Sequence, residues 1–340
     1  MKNPAAETLL NFLAEHPELT ERCGRILFIR PVAHPRLALL KKSTVLCLQT
    51  FKPEAEKLAL QGFKVTSSIE GTFDLVILLP GQQRDENLHN FARAASCLNE
   101  GGTVISALSN DLGAGRFERH LKELLGEINS YSRNKCRVFW GQRTSSLSLP
   151  LLDEWLRLGD LFRIEGTDLL SCQGIFARKK IDAGSKLLCE NLPGELPGRG
   201  ADLGCGYGYI SSHIAKSVRG VVALHLYEAE KLALDAAKAN VSAVQTRIEF
   251  SFEWHDVTTG LAHRNLDWIV TNPPFHQGKS SATSLGRRFI EVAASALRKD
   301  GKLYLVTNEN FPYASPPLQG FRESRILSEN GGYRVIEAVK

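Results

Sequence analysis

The fold is decided by the stretch Leu266-Asp267-Trp268-Ile269-Val270-Thr271-Asn272-Pro273-Pro274-Phe275. An apolar run that ends abruptly in two prolines predicts a buried parallel strand whose carboxyl end opens into a loop. Ligands of open α/β sheets bind at that edge of the sheet. The stretch therefore predicts an α/β fold with a functional site directly after Thr271.

The tetrapeptide after this strand is suited to hold a planar amino group. Pro274 and Pro273 each restrict the preceding residue to extended conformations, so the backbone carbonyls here are stiffly held. The side-chain oxygen of Asn272 and a neighbouring backbone carbonyl form a pair of acceptors for two N–H hydrogens. Phe275 offers a flat apolar surface for stacking. An ordinary strand-to-loop turn has the same composition, so the tetrapeptide alone does not decide the function.

A glycine-rich segment lies upstream, Asp202-Leu203-Gly204-Cys205-Gly206-Tyr207-Gly208, between a short strand and a segment of helical spacing. Glycines at such a junction let the backbone lie against a ligand, with helix amides pointing at it. The spacing is G-x-G-x-G, whereas a dinucleotide site has G-x-G-x-x-G, and the preceding acid would repel a phosphate. The segment predicts a site for a cationic ligand.

Carboxylates follow the next two predicted strands. Glu228 ends the first of these strands, roughly twenty residues after the glycines, where α/β nucleotide sites place the acid that binds ribose hydroxyls. Asp256 follows the second strand and is placed to accept an adenine amino group. Each acid alone is typical of a solvated surface, but their repetition at successive strand ends predicts a nucleoside site.

With these segments the chain resembles class I methyltransferases that use S-adenosylmethionine, in the subgroup with an Asn-Pro-Pro-aromatic motif. It is further similar to bacterial ribosomal RNA guanine-N2 methyltransferases of the small-subunit type. The resemblance covers about the last half of the chain and is carried by Gly174-Ile175-Phe176-Ala177-Arg178, Asp182-Ala183-Gly184-Ser185-Lys186-Leu187-Leu188, the glycine segment, Asn272-Pro273-Pro274-Phe275-His276 and Asn310-Phe311-Pro312-Tyr313.

The resemblance implies methyl transfer from S-adenosylmethionine to N2 of a guanine in ribosomal RNA. Asn272 and Pro273 would accept the two amino hydrogens, and Phe275 would stack on the base. The residues expected to bind the cofactor are Asp202, Gly204, Cys205, Gly206, Glu228, Asp256 and Asn272. Large-subunit RNA, a DNA adenine and a protein glutamine stay open as acceptors. So does a non-catalytic RNA-binding assembly factor.

Composition sets broader bounds. The 340 residues, 43% of them hydrophobic, suffice for two domains, and a net charge of +5 permits binding to nucleic acid. The chain has no apolar run of about eighteen residues, and its first residues are too polar for a secretory signal. The seven cysteines are scattered without a C-x-x-C motif. We expect a cytoplasmic monomer that binds a ribosomal RNA or subunit and needs neither a metal nor a membrane.

The first half of the chain parallels the second. Residues 74–80 match residues 267–273, and residues 97–105 match residues 297–305, but the first copy lacks both the glycine loop and the asparagine. The polar passage at residues 141–150 predicts the joint. We therefore predict two tandem Rossmann-like methyltransferase domains. Residues 1–148 form a degenerate copy that serves architecture or RNA docking, and residues 149–340 form the catalytic domain.

Basic residues near the predicted site are candidate contacts to RNA phosphates, although such residues are commonly just solvated. They are Arg178, Lys179, Lys180, Lys279, Arg287 and Arg288. Residues 278–284 are predicted as a loop that closes over the substrate, with the two arginines beginning the next helix. Residues 304–307 and 333–338 are predicted to form an antiparallel edge of the sheet.

Overall fold

The computed structural model describes residues 3–40, 44–274, 279–309 and 318–340. The chain divides into two compact units, Met1–Asp160 and Leu161–Lys340. In each unit the described residues form one seven-stranded sheet flanked by helices. The predicted α/β fold with two tandem domains is confirmed.

The first unit is built on strands β1 to β7. They are β1 (Arg25–Ile29), β2 (Thr44–Leu48), β3 (Lys64–Thr66), β4 (Phe73–Leu78), β5 (Leu98–Ser109), β6 (Ile128–Arg133) and β7 (Cys136–Gln142). The helices are α1 (Pro4–Glu15), α2 (Glu18–Glu21), α3 (Lys52–Leu60), α4 (Arg84–Ser96), α5 (Ala114–Leu125) and α6 (Leu149–Arg157). The strand order is β3-β2-β1-β4-β5-β7-β6. Strand β7 pairs antiparallel with both β5 and β6, and the other neighbouring strands pair parallel.

The second unit begins with a short hairpin, β8 (Phe162–Arg163) and β9 (Leu170–Ser171). Its large sheet contains β10 (Glu195–Leu203), β11 (Arg219–Glu228), β12 (Glu249–Trp254), β13 (Leu266–Thr271), β14 (Leu297–Asn308), β15 (Glu323–Asn330) and β16 (Tyr333–Val339). The helices are α7 (Ala183–Asn191), α8 (Tyr209–Ser217), α9 (Lys231–Ser242) and α10 (Lys279–Ala296). The strand order is β12-β11-β10-β13-β14-β16-β15.

Both faces of each sheet are covered by apolar packing. On β1, Leu27 and Ile29 point into one core cluster while Ile26 and Phe28 point into another. This alternation explains why the central strands read as continuous apolar runs, since side chains on successive positions are buried on opposite faces. Because the central strands are packed on both faces, their carboxyl ends are held rigidly at one edge of the sheet. The candidate site lies at that edge.

The predicted internal repeat is confirmed in detail. The two strand orders correspond position by position. Equivalent acids also make equivalent contacts, because Asp74 accepts the N–H of Arg25 on β1 at 3.0 Å and Asp267 accepts that of Arg199 on β10 at 2.7 Å. The two halves share both topology and the contacts that fasten the central strands.

The first unit is degenerate at the position of the site. Arg30 donates its N–H to the Leu48 carbonyl at 2.9 Å, as Gly204 does to the Tyr227 carbonyl at 2.8 Å. The Arg30 side chain forms an ion pair with Glu86. Leu79, which is buried, follows β4 where Asn272 follows β13. The first unit thus has an arginine in place of the loop glycine and no asparagine acceptor.

Helix α6 packs within the first unit, beyond the predicted joint at residue 148. Its Leu152 and Trp155 belong to a core cluster of that unit. His89 on α4 contacts the Trp155 carbonyl at 3.3 Å. The N–H of Gly101 donates to the Arg143 carbonyl, and the N–H of Arg143 donates to the Gly102 carbonyl, both at 2.8 Å. The polar passage that suggested a joint is the end of β7 and the turn into α6, so the first unit continues to Asp160.

Replacing Trp155 by alanine should lower the free energy of unfolding of the first unit by about 3–5 kcal/mol, because it leaves a cavity under α4. Urea unfolding followed by circular dichroism measures this change. Leu161→Ala is the control, since Leu161 is 45% exposed at the start of the second unit. If the Trp155 variant unfolds like the wild type, α6 is not part of the first core.

One expectation about the second unit is wrong. Helix α10 already begins at Lys279, so residues 279–284 are not a loop and Arg287 lies well inside the helix. The core residues Phe289, Ile290 and Val292 pack this helix on the sheet. Its first residues are polar and lack an apolar periodicity, so the sequence does not predict a helix there. The predicted antiparallel pairing of residues 304–307 with residues 333–338 is confirmed, because β14 pairs antiparallel with β16. The outermost strand is β15, which pairs antiparallel with β16 and which the sequence did not predict, because it is rich in charge and has no apolar run.

Candidate functional site

Asp202 lies at the end of β10 and is fully buried. Its Oδ2 accepts a 2.6 Å hydrogen bond from the hydroxyl of Ser211 on α8, and its Oδ1 has no partner among the described residues. Burial raises the pKa of Asp202 to about 7; the charge of Glu228 adds to the rise, and Ser211 opposes it. An unpartnered buried carboxylate oxygen is costly, so this side chain is suited to a cationic ligand.

The glycine loop turns back onto the end of β11. The N–H groups of Gly204 and Cys205 both donate to the Tyr227 carbonyl, at 2.8 and 3.0 Å. The N–H of Gly206 donates to Glu228 Oε2 at 2.8 Å. These three amides therefore do not point at a ligand, contrary to the expectation from the glycine pattern. A loop with its donors engaged does not form a phosphate cradle, in agreement with the G-x-G-x-G spacing.

Positive φ angles explain why two of the loop residues are glycines. Gly206 has φ of 57° and faces open space, with no atom within 4 Å of an added Cβ. Gly208 has φ of 82°, and a Cβ there would lie 3.0 Å from Ala237 on α9. Gly208 thus allows helix packing, while Gly206 leaves room for a ligand beside the loop.

Glu228 and Asp256 lie at the ends of neighbouring strands, as predicted. Glu228 is half-buried and accepts N–H groups from Gly206 and Glu230 at 2.8 and 2.9 Å. Burial raises the pKa of its carboxyl, and both N–H groups oppose that rise. Asp256 is the N-cap of a short 3-10 turn. Its Oδ1 accepts hydrogen bonds from the N–H and from the hydroxyl of Thr258. Carboxylate oxygens accept more than one hydrogen bond, so both acids retain capacity for a ligand.

Cys205 is buried in the loop. Burial raises the pKa of its thiol well above the usual value, and the carboxyls of Asp202 and Glu228 add to this effect. A thiol held neutral is a poor nucleophile. The residue therefore serves the turn through its backbone and small size.

Asn272 follows β13 at the same edge. Its Nδ2 donates to Asp182 Oδ2 and to Ser185 Oγ, both at 2.8 Å. No described residue donates to Asn272 Oδ1 or to the Pro273 carbonyl. Both oxygens therefore keep their capacity to accept a hydrogen bond among the described residues, and their use as a pair of acceptors stays a prediction. Sequence reasoning missed the two partners of Nδ2, although the segment from Asp182 to Ser185 belongs to the resemblance.

The candidate RNA contacts are in different environments. Lys179, Lys180 and Arg287 are exposed. Arg178 donates to Gln173 Oε1 at 2.7 Å, and Arg288 donates to the Thr258 carbonyl and pairs with Glu291. The exposed three remain available to a polyanion, whereas Arg178 and Arg288 already hold local structure.

Several predicted residues lie outside the described part of the chain. They are Phe275, the side chain of Lys279 and the segment 310–313. Within the described residues, no helix has the length and apolar character needed to cross a bilayer. The described histidine, cysteine and carboxylate side chains form no group of three that would hold a metal ion.

Comparison with known proteins places this site in a family. The sheet order and the acidic, glycine-lined edge define an α/β protein of the class I methyltransferase kind. A family model, the methyltransferase small domain, matches residues 166–337, which is half of the chain. The chain belongs to this methyltransferase small domain family, and the resemblance seen in its sequence is confirmed at that level.

Relatives resemble most of the chain, and a solved structure resembles all of it. A protein of Psychromonas ingrahamii named ribosomal RNA small subunit methyltransferase C is 24% identical, over 89% of this chain and 88% of its own length. One of the same name from Shewanella amazonensis is 28% identical, over 77% and 76%. The structure of a T. thermophilus 16S rRNA N2 G1207 methyltransferase in complex with AdoMet and guanosine superposes with a TM-score of 0.79, at 24% identity, over 100% of this chain and 92% of that one.

Proposed function

We propose that this chain transfers a methyl group from S-adenosylmethionine to the exocyclic N2 of a guanine in ribosomal RNA, with small-subunit RNA as the substrate. The observation that carries the proposal is the orientation of Asn272. Both of its amide hydrogens are engaged by Asp182 and Ser185, which leaves Oδ1 as the side-chain atom that can accept a hydrogen bond from a ligand. The names of the relatives and of the superposed structure support the same acceptor.

The residues at the edge of the second sheet fit the cofactor. The unpartnered Oδ1 of Asp202 provides a buried negative partner for a cationic group, and the open space at Gly206 leaves room beside the loop. Glu228 would bind the ribose hydroxyls and Asp256 the adenine amino group. Gly204 and Cys205 would line the cofactor site through the backbone turn that they make against the end of β11.

S-adenosylmethionine supplies, when bound, a methyl group made electrophilic by its sulfonium. The lone pair of guanine N2 is delocalised into the purine ring, which makes the free amine a poor nucleophile. Asn272 Oδ1 and the Pro273 carbonyl accept the two N2 hydrogens, localise the lone pair and orient it. The amine becomes acidic as it is alkylated, so its proton leaves to solvent without a strong base.

The first unit and the basic residues serve RNA docking in this proposal. The first unit has no asparagine acceptor and carries an arginine at the loop glycine position, so it binds no cofactor in the manner of the second. The exposed Lys179, Lys180 and Arg287 contact RNA phosphates through charge. Residues 1–148 keep the role of architecture and docking, and α6 extends that unit.

Cofactor affinity should increase with pH up to neutrality. Asp202, with a pKa raised to about 7, is protonated below that pH, and only its ionised form attracts a cation. The dissociation constant should therefore rise by up to about tenfold for each pH unit below 7 and level off above it. Calorimetric titrations of S-adenosylmethionine across this range measure the effect.

The raised pKa of Asp202 also determines whether the free energy of unfolding increases or decreases with pH. The folded chain holds this proton more tightly than the unfolded chain, so this group lowers the free energy of unfolding as pH rises from about 4 to 7. Asp202→Asn should remove both pH dependences. An affinity profile that is already flat in the wild type would contradict a role for Asp202 in binding the cation.

The proposed function is tested by incubating the purified chain with tritium-labelled S-adenosylmethionine and ribosomal RNA from a strain that lacks the activity. Digestion to nucleosides should place the label in N2-methylguanosine, and separated RNAs should show it in the small-subunit RNA. Label in large-subunit RNA, in methyladenosine or in protein glutamine would show that the proposed acceptor is wrong and would identify the actual one. No transfer and no heat on cofactor titration would favour the assembly factor.

A further inference from the structure

We propose that Asp182 and Ser185 are positioning residues that fix which way the Asn272 amide faces; this inference rests on the proposed function. A side-chain amide presents either an acceptor oxygen or a donor NH2 group to a ligand, depending on a rotation of its last bond. An NH2 group facing the guanine amine would meet another donor. The reaction therefore requires a device that holds Asn272 with its oxygen toward the substrate.

The contacts of the Asn272 amide supply that device. Nδ2 carries two hydrogens, and it has two acceptors at 2.8 Å, the Asp182 carboxylate and the Ser185 hydroxyl. The reversed amide would place its oxygen against the carboxylate, which has no hydrogen to give when ionised. The negative charge beside Nδ2 also polarises the amide and makes Oδ1 a better acceptor.

The platform that carries both acceptors is itself held firmly. Asp182 is the N-cap of α7, and the same Oδ2 that receives Asn272 accepts the Ser185 N–H at 2.9 Å. A Cβ at Gly184 would lie 2.8 Å from the ring of Tyr333 on β16, so this glycine allows α7 to lie close to the sheet. The cap and the close packing place the acceptors on a rigid element, as accurate positioning requires.

A cap alone would explain Asp182 but not this arrangement. An N-cap needs only one oxygen on a helix amide, a role that serine fills nearly as well. It needs neither a second acceptor at Ser185 nor a partner that lies 90 residues away in sequence. Capping of α7 and positioning of Asn272 can be separated by a variant that still caps the helix but is too short to accept the hydrogen bond from Asn272.

Three variants separate positioning from folding. Ser185→Ala removes one acceptor and leaves a good helix former, and Asp182→Ser keeps a cap but shortens the side chain. Each should lower kcat for guanine methylation by about tenfold to a hundredfold with an unchanged cofactor dissociation constant. Asp182→Asn, which keeps an acceptor oxygen at the same length, should retain more activity than Asp182→Ser. Ser242→Ala, at the exposed end of α9, is the control.

A double variant tests whether the effect acts through Asn272. Adding Ser185→Ala to Asn272→Ala should cause no further loss, because the positioned group is already gone. Multiplicative losses would show that Ser185 acts by another route and would overturn the inference. So would unchanged kcat in both Ser185→Ala and Asp182→Ser.

A measurement without substrate distinguishes failure of this inference from failure of the proposed function. The side-chain amide signals of Asn272, assigned by their loss in Asn272→Asp, should exchange slowly with water in the wild type. Exchange should become faster in Ser185→Ala, while the Asn191 amide, bonded to the Leu187 carbonyl, should not change. Unchanged exchange overturns the inference. Faster exchange in a chain that never methylates guanine supports the positioning and rejects the proposed reaction.

Discussion

Replacing Asn272 by alanine should reduce methyl transfer by at least about a thousandfold, while the affinity for S-adenosylmethionine stays within about threefold of the wild type. The variant removes one of the two acceptors proposed to hold the guanine amine, so the lone pair would no longer be directed. The cofactor contacts assigned to Asp202 and Glu228 are untouched. Tritium transfer to ribosomal RNA gives the rate, and calorimetry gives the affinity.

The matched control is Asn191→Ala, which removes an amide that only donates to the Leu187 carbonyl within α7. It should transfer methyl groups at close to the wild-type rate. An Asn272 variant with wild-type turnover would remove that residue from the mechanism. Loss of cofactor binding in the same variant would instead make Asn272 a cofactor ligand, as its place among the predicted cofactor residues also allows.

Replacing Asp202 by asparagine should weaken cofactor binding by at least about thirtyfold, because it removes the charge of a buried ionic partner. Asparagine keeps the shape of the side chain and an oxygen for the Ser211 hydroxyl. Above pH 7 the ligand-free variant should be at least as stable as the wild type, since a buried unpaired carboxylate no longer has to ionise. Calorimetry and urea unfolding separate the two effects.

Asp235→Asn serves as the matched control, because Asp235 is exposed on α9 and pairs with Lys231. Its cofactor affinity should equal that of the wild type. If Asp202→Asn binds S-adenosylmethionine as tightly as the wild type, the acidic end of β10 does not hold the cation. If it binds weakly only because it is unfolded, the urea transition reveals that at once.

The sequence predicted the fold because buried parallel strands leave a clear pattern. The apolar runs of β1, β4 and β13 lie where their composition placed them, and the repeat follows from matching runs in the two halves. Edge strand β15 was missed because a strand that is half solvated and rich in charge has no apolar run. The start of α10 is likewise polar, so its sequence predicts a loop where the structure has a helix.

The sequence predicts which residues lie at the candidate site better than it predicts how they contact one another. Strand ends meet at one edge of the sheet, so Asp202, Glu228 and Asn272 were expected there from topology alone. The direction of the loop amides was not predictable, because it depends on the Tyr227 carbonyl across the sheet. Nor was the contact between Asp182 and Asn272, which is set by how α7 packs and not by any local pattern.

In the proposed mechanism, Asn272 Oδ1 and the Pro273 carbonyl hold the amino group of a guanine beside a cofactor bound at the end of β10. A crystal structure of the chain with S-adenosylhomocysteine and guanosine tests it most directly. Guanine N2 should lie about 3 Å from both oxygens, with the cofactor against Asp202 and Glu228. A guanine that turns another edge toward Asn272, or a cofactor bound away from Asp202, would contradict the account.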